Sequence, residues 1–509
     1  MKLDLVNVTV SDERAIKLLE YFLPEATYVL SSDAIITLIQ CNFESEEFAL
    51  EINEKITVRY GDYLSLRNAL ATLSTLAMVR DNTLFFEACA LSQKPDCSYR
   101  SGMLDLARGI RDFGELKNHV ILIAKAKLNH LHLHLFDSEG ICFRAESFPE
   151  ESYLENAYTV EQMKELNSLA KLLALEIVPE IDMPAHSSKI IQSLPDFLCK
   201  VDSPSAWTVC AGSEKVYEFY DSVIKEVTSI FEGKYFHMGG DELEFADRPE
   251  RNLLCKWDEC PACNALMKRE GLKDRQELYY YFVNKIYSIV KKYGRQMMMW
   301  SDQIDCARPC PIPKDVIMHF WRIAMKDRGP YENCSMNGQL KMGYTLINSY
   351  YPETYFDFDH YMNSSTLSKF DWRANPENDF PEKIMGSEIC AWEYGNKEYE
   401  HYNTSLPFAV FLFGDKLWSG KELNYTDDYK RFITRCILGA STPEDLDLSL
   451  IYCDILPPRL FAQGAFDYSK ITTPISKLKE IKSTLENLNS PFATYYIDAL
   501  NTALQHIVC

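Results

Sequence analysis

In the stretch YFHMGGDELEF, residues 235–245, an apolar run ends in two glycines and is followed directly by two carboxylates, Asp241 and Glu242. Two carboxyl groups this close do not ionise independently, so one is expected to keep its proton towards neutral pH. A carboxylic acid protonated there can hand a proton to a leaving oxygen, which is what glycoside cleavage needs. Neighbours on a strand point to opposite sides. Both acids reach one substrate only if the backbone leaves strand geometry, which Gly239-Gly240 permits. The plain alternative is a solvated loop.

Further residues of matching chemistry stand where other short apolar segments end. Arg100 precedes a first segment that contains Asp105, and Asp137 closes a second. Asp182 and His186 follow a third, and Trp300-Ser301-Asp302 closes a fifth. Trp321 ends a sixth, Tyr355 and Asp357 follow a seventh, and Trp392-Glu393 ends an eighth. Each alone reads as an ordinary loop polar group or packing residue. His132 and His134 share one strand face between leucines, so satisfied core histidines are expected there. Together the set describes a cleft both acidic and aromatic. Aromatic faces pack on sugar rings, and carboxylates accept from hydroxyls.

The elements that must position these residues are eight short apolar segments at 102–107, 128–136, 175–181, 234–240, 296–300, 316–321, 344–349 and 384–392. Amphipathic stretches such as 159–174 and 215–231 lie between several of them. Eight strands alternating with helices predict an α/β fold, a (β/α)8 TIM barrel over residues 96–425, with a doubly wound sheet as the alternative. Ahead of it, residues 1–95 read as a small α/β domain with a hairpin over 48–60 and a helix from Tyr63. Residues 426–509 read as a mostly helical C-terminal extension. A barrel places its chemistry at the C-terminal ends of its strands, where the polar residues collect.

The 509 residues carry a net charge of −21, which argues against nucleic acid or an anionic membrane surface as partner. No apolar run reaches membrane-spanning length, and the N-terminal stretch lacks the apolar core of an export signal. The 16 cysteines are scattered, so reduced thiols and a cytoplasmic location are expected. Cys255, Cys260 and Cys263 include a C-x-x-C, but no second C-x-x-C or histidine pair follows at ligand spacing. Ordinary thiols are therefore the expectation.

The residues resemble the β-N-acetylhexosaminidases of glycoside hydrolase family 20. The family's H-x-G-G-D-E stands as His237-Met-Gly-Gly-Asp241-Glu242. RSGMLDLAR, KLNHLHLHLFDSEG, VPEIDMPAH and TYFD are similar to its other strand motifs, over roughly residues 50 to 420. The resemblance implies an exo-acting retaining hydrolase of terminal β-linked N-acetylhexosamine, in which the substrate's own 2-acetamido oxygen attacks the anomeric carbon. It implies Glu242 as general acid and base, Asp241 as the carboxylate that orients the acetamido N–H, and Tyr355 as donor to the acetamido oxygen. Trp300, Trp321 and Trp392 would line the acetyl pocket. Arg100, Asp137, His186, Asp357 and Glu393 would bind the sugar, and Asp182, His237 and His134 would support the acids. No metal or organic cofactor is implied, and the partner is an oligosaccharide or glycoconjugate, met by a monomer or homodimer. The family's W-x-E stands here as Trp392-Glu393-Tyr394, with the glutamate one place early. That leaves the choice between glucosaminide and galactosaminide open. It also motivates an alternative, release of a disaccharide or modified sugar. Two further readings are a metal-dependent hydrolase using His132, His134, Asp182 and Asp241, and a non-catalytic sugar-binding protein.

Overall fold

A computed structural model describes residues 1–245, 251–322, 333–356, 367–395, 402–449, 471 and 473–508. Its centre is a closed barrel of eight parallel strands: β1 (Tyr99–Asp105), β2 (His130–Asp137), β3 (Glu176–Ile181), β4 (Tyr235–His237), β5 (Gln296–Trp300), β6 (Ile317–Phe320), β7 (Thr345–Asn348) and β8 (Ile384–Ala391). Each pairs with its sequence neighbours, and β1 pairs with both β2 and β8, which closes the ring. The doubly wound alternative is thereby set aside, because an open sheet has two free edges and this one has none.

Helices flank the barrel where the amphipathic stretches lie, at Phe113–Lys125, Val160–Leu172 and Glu214–Ile230. Their starts are capped locally. Thr159 accepts from the Gln162 N–H while the Gln162 side chain returns a bond to the Thr159 N–H, a reciprocal box that satisfies two otherwise unpaired donors. Two more helices, Pro261–Glu270 and Arg275–Lys292, fill the long connection after β4. The alternation is not regular: β5 joins β6 through residues 301–316 without a helix.

Along each strand, interior side chains recur every second residue. Tyr99, Val178, Tyr235, Met298, Ile317 and Ile347 form an apolar layer near the strand starts. Two residues on, β3, β4 and β6 place Glu180, His237 and His319 in a buried polar layer, joined by His132 and Glu388. Above it lie Met103, Trp300, Tyr355 and Cys390, packed against Trp321 and Trp392. The barrel is thus apolar at its base, charged in the middle and aromatic at the mouth.

Ahead of the barrel, the expected hairpin pairs Phe48–Ile52 with Ile56–Tyr60 inside a six-stranded sheet, and helix Tyr63–Leu76 packs on it. After the barrel come helices Asp427–Leu438, Ile475–Glu486 and Ala493–Val508. Among the described residues, no helix is long and apolar enough to cross a membrane.

Candidate active site

The acid pair sits where β4 stops. The strand's ladder ends at His237, and Gly239 and Gly240 take φ of +68° and +102°. That backbone is reserved for glycine here by space as well as by φ. A Cβ on Gly239 would lie 1.8 Å from Asp182 Oδ1. The Gly240 N–H donates to that same Oδ1 at 3.2 Å, and its carbonyl accepts from the Tyr279 hydroxyl at 2.6 Å. Glu242 itself is left-handed, at φ +46°. Its N–H donates to Asp302 Oδ2 and its carbonyl accepts from the Trp207 indole, which hold it in a conformation that non-glycine residues seldom adopt. The turn brings both acids to one side: His186 Nε2 stands 3.6 Å from Asp241 Oδ2 and 3.5 Å from Glu242 Oε2.

Behind the pair runs a chain of alternating charge. His186 Nδ1 donates to Asp137 Oδ1 at 3.1 Å. Asp137 Oδ2 meets His134 Nε2 at 2.9 Å and accepts from Arg108 Nη2 at 2.7 Å. His134 Nδ1 lies 2.6 Å from Glu180, which also accepts from the Trp300 indole. Burial opposes charge on all these groups, but for His186 and His134 the facing carboxylates outweigh it and raise both imidazoles well above their ordinary range. Burial, aided by its histidine neighbours, keeps His237 low. The neutral ring accepts the Gly239 N–H at 3.0 Å and so supports the glycine turn. His132, fully buried between Glu180 and Glu388, is raised to about 9. His134 is therefore a satisfied core histidine, as its alternation with leucine implied, while His132 bonds Glu388 through Nδ1 and keeps Nε2 at 3.1 Å from Glu180.

The surroundings of the two acids favour the protonated form of Asp241 and the ionised form of Glu242. Burial raises Asp241, and the charges of Asp182 and Asp302 raise it further. Burial also acts on Glu242, but the His186 hydrogen bond and the Arg322 guanidinium, 3.7 Å from Oε1, outweigh it and hold that carboxyl below its usual value. Adjacency does split the two acids, but the neighbouring cations decide which one keeps the proton.

The mouth is aromatic as anticipated. Trp321 stacks on Tyr355 at 5.9 Å between ring centres, Tyr355 lies 5.9 Å from Trp392, and Trp392 lies 5.7 Å from Trp300. Tyr355 belongs to a two-residue strand paired with β8, which sets it beside Cys390 at the strand end.

Arg100 is a correction. It lies at the start of β1, at the opposite end of the barrel from the acids, and is fully buried. Its guanidinium is consumed by Glu46 of the N-terminal sheet region and by the carbonyls of Cys97 and Lys127. Fully buried at that end, it offers nothing to a sugar at the mouth. The cation at the mouth is Arg108, past the other end of the same strand. It donates to Asp105 at 2.9 Å and Asp137 at 2.7 Å, with Glu393 Oε1 at 3.3 Å from its Nε. Applying the strand-end rule to RSGMLDLAR finds Arg108, because Asp105 is the last strand residue and Arg108 follows it. Glu393, at φ +57°, donates its N–H to Asp105, and burial and the surrounding carboxylates raise its carboxyl to about 9 despite Arg108. The glutamate one place early thus still turns into the mouth. Asp357 lies outside the described residues. Trp207 had no spacing signal, since it sits in a long connection whose course only the fold sets, whereas Arg322 follows Trp321 at the end of β6 and the strand-end rule could have found it.

Groups such as Asp182, His186 and Asp241 are close enough to share a cation. Both carboxylates already face the His186 imidazole, the arrangement of a charge network rather than of vacant ligands.

The family model "Glycosyl hydrolase family 20, catalytic domain" matches residues 97–406. The chain belongs to that family. Among curated family 20 relatives, a β-hexosaminidase of Akkermansia muciniphila is 30% identical over 257 residues, 45% of this chain and 50% of the relative. One from Porphyromonas gingivalis is 28% identical over 42% of this chain and 29% of the relative. The bovine β-hexosaminidase subunit alpha is 24% identical over 81% of this chain and 78% of its own. The chain spans half or less of the first two. Among solved structures, a β-N-acetylhexosaminidase of Bacteroides fragilis superposes with a TM-score of 0.71 at 21% identity, covering 86% of this chain and 92% of that one. A chitobiase of Flavobacterium johnsoniae gives 0.70 at 20%, covering 99% and 89%. These place the barrel among family 20 folds.

Proposed function

We propose that the protein is an exo-acting retaining glycoside hydrolase that removes terminal β-linked N-acetylhexosamine, GlcNAc or GalNAc, by substrate-assisted catalysis. One observation carries this reading. Asp241 and Glu242 both lie within 3.6 Å of a single nitrogen, His186 Nε2. A retaining pair of the ordinary kind needs two carboxyl groups about 5 Å apart on opposite faces of the sugar. Consecutive residues at one strand end, both turned towards His186, favour one acid with one orienting carboxylate, and support a nucleophile supplied by the substrate.

In the reaction, the acetamido oxygen forms a bond to C1 as the C1–O bond to the leaving group breaks. Glu242 supplies the proton to that oxygen. Asp241 accepts the acetamido N–H and stabilises the positive charge of the oxazolinium ring. Tyr355 donates to the acetamido oxygen, and the acetyl methyl sits among Trp300, Trp321 and Trp392. Glu242, now a carboxylate, takes a proton from water as it adds to C1, and the acetamide is restored. The acetamido N–H donates to Asp241 when substrate binds, which favours its carboxylate form and leaves the proton to Glu242. The sugar hydroxyls fall to Arg108 and Glu393.

The test is a panel of nitrophenyl glycosides with a thiazoline mimic of the intermediate. N-Acetyl-β-glucosaminide or galactosaminide should be cleaved and the thiazoline should inhibit. Turnover of the plain glucoside instead would end the proposal. Release of a disaccharide or modified sugar is a second reading, favoured by the shifted Glu393, and sizing the products of an oligosaccharide digest distinguishes it. A cytoplasmic location is likewise proposed, from described cysteines that are all free. Fractionation of the source cells tests it.

A further inference from the structure

Two long loops carry the acid machinery: the one after β3 with Asp182, His186 and Trp207, and the one after β4 with Asp241 and Glu242. Below that machinery each loop also contributes two cysteines. The ligand atoms of Cys199, Cys210, Cys260 and Cys263 all lie within 4.8 Å of one another, and Cys210 Sγ is 3.7 Å from both Cys260 Sγ and Cys263 Sγ. All four side chains are buried. A disulfide would bring two sulfurs to about 2.05 Å and leave the others out. Four thiolates around one zinc, at about 2.3 Å each, stand about 3.8 Å apart along the edges of the tetrahedron. The observed separations are the second kind.

The local structure suits that load. Cys260 is the N-cap of helix Pro261–Glu270, with Pro261 in its first position, and Cys263 lies in the first turn. Both sulfurs therefore sit at the positive end of a helix, which favours thiolates. Gly212 brings the other loop in close. A Cβ there would lie 2.4 Å from the Ala262 carbonyl carbon and 2.6 Å from the Cys263 nitrogen. The Gly212 N–H is directed at Cys210, the kind of outer hydrogen bond that holds a metal-bound sulfur.

We propose that Cys199, Cys210, Cys260 and Cys263 bind one structural zinc ion that staples the β3 loop to the β4 loop. Four protein ligands leave no open position, so the ion takes no part in the chemistry. Its effect on the site passes through the backbone. Trp207 and Thr208, just ahead of Cys210, hold the carbonyls of Glu242 and Leu243 at 2.9 and 3.0 Å, and the Trp257 indole donates to the Val209 carbonyl at 2.8 Å. The C-x-x-C was set aside in the sequence because no partner pair follows it. The partner pair precedes it, and its own two cysteines are not closely spaced.

The test is metal analysis of the full chain purified under reducing conditions without added metal, with X-ray absorption at the zinc edge. About one zinc per chain with a first shell of four sulfurs at about 2.3 Å is expected. Less than about a tenth of an equivalent, a first shell of nitrogen and oxygen, or a disulfide among the four by mass spectrometry would each overturn the proposal. In Cys263→Ser the zinc content should fall at least tenfold, whereas Cys255→Ser, in the same stretch but outside the cluster, should keep it. Retention of zinc by a folded Cys263→Ser protein would also refute the site. If that variant does not fold, zinc released from the native wild type by a mercurial, in step with the modification of four thiols, decides. None of these readouts uses glycosidase activity.

Discussion

Arg100 and Arg108 stand at the two ends of one barrel strand, and both are tied to carboxylates. Arg100 is closed off. Glu46 and two backbone carbonyls use its donors, and the ring of Trp418 lies beneath it at 5.3 Å. Arg108 is held by three carboxylates but keeps 15% of its side chain exposed, towards the mouth. The strand between them rises about 3.3 Å per residue, so Asp105 lies roughly 16 Å from Arg100. The same residue type, in one short stretch, ties down the N-terminal sheet region at one end and stands at the barrel mouth at the other. What separates the roles is the end of the strand on which each stands.

The sharpest break between the two ends should come from the mouth. Glu242→Gln keeps shape and removes the proton, and a loss of about 10³-fold or more in kcat is expected, with thermal stability retained. A fully active variant would remove Glu242 from its role. Next, Arg108→Lys keeps the charge but not the fork. Two charge-assisted hydrogen bonds are weakened, and kcat/KM for the nitrophenyl substrate should drop about 10²-fold, while the denaturant midpoint shifts little. A variant with unchanged kcat/KM would return Arg108 to a structural role.

At the other end the pattern should invert. Arg100→Met leaves Glu46 buried without its cation, and the fold should lose about 3 kcal/mol by urea titration. The folded protein's kcat/KM should stay near wild type. A selective loss of substrate affinity would restore Arg100 to the site.

The smallest effect belongs to the buried layer between the two ends. His132 is raised from 6.5 to about 9 in the fold, so its contribution is complete below about pH 6.5 and is lost as pH rises through 9. Glu388 is lowered from 4.5 to about 2 by His132 and His319 against the pull of burial, so its contribution is complete above about pH 4.5 and is lost as pH falls through 2. Melting temperature should plateau between those limits. In His132→Gln the decline from pH 7 to 9 should flatten. An identical alkaline limb in the variant would show that His132 does not set it.

Much of this was legible in residue order. Eight apolar segments found the eight strands to within a few residues, because a parallel barrel strand is buried on both faces and reads as an apolar run. The Asp-Glu pair and its two glycines announced a turn that re-aims side chains, and the positive φ of both glycines bears that out. Arg100 was misassigned because a strand's two ends look alike in a motif, while in space they open on opposite faces of the barrel. The direction in which each acid is pushed was not legible, because Asp182 and His186, Asp302 and Arg322 come from three other places in the chain.

By itself, the sequence determined the barrel, the place of its mouth and the pair of acids there, since these follow from local patterns of burial and from a backbone that only glycine can adopt. Tertiary structure alone decided which arginine stands at the mouth, in which direction each acid is pushed, and that four cysteines from two loops meet. Charge coupling and ligand geometry depend on distance in space. Distance in sequence carries that information only when both partners sit on one strand or one turn of helix.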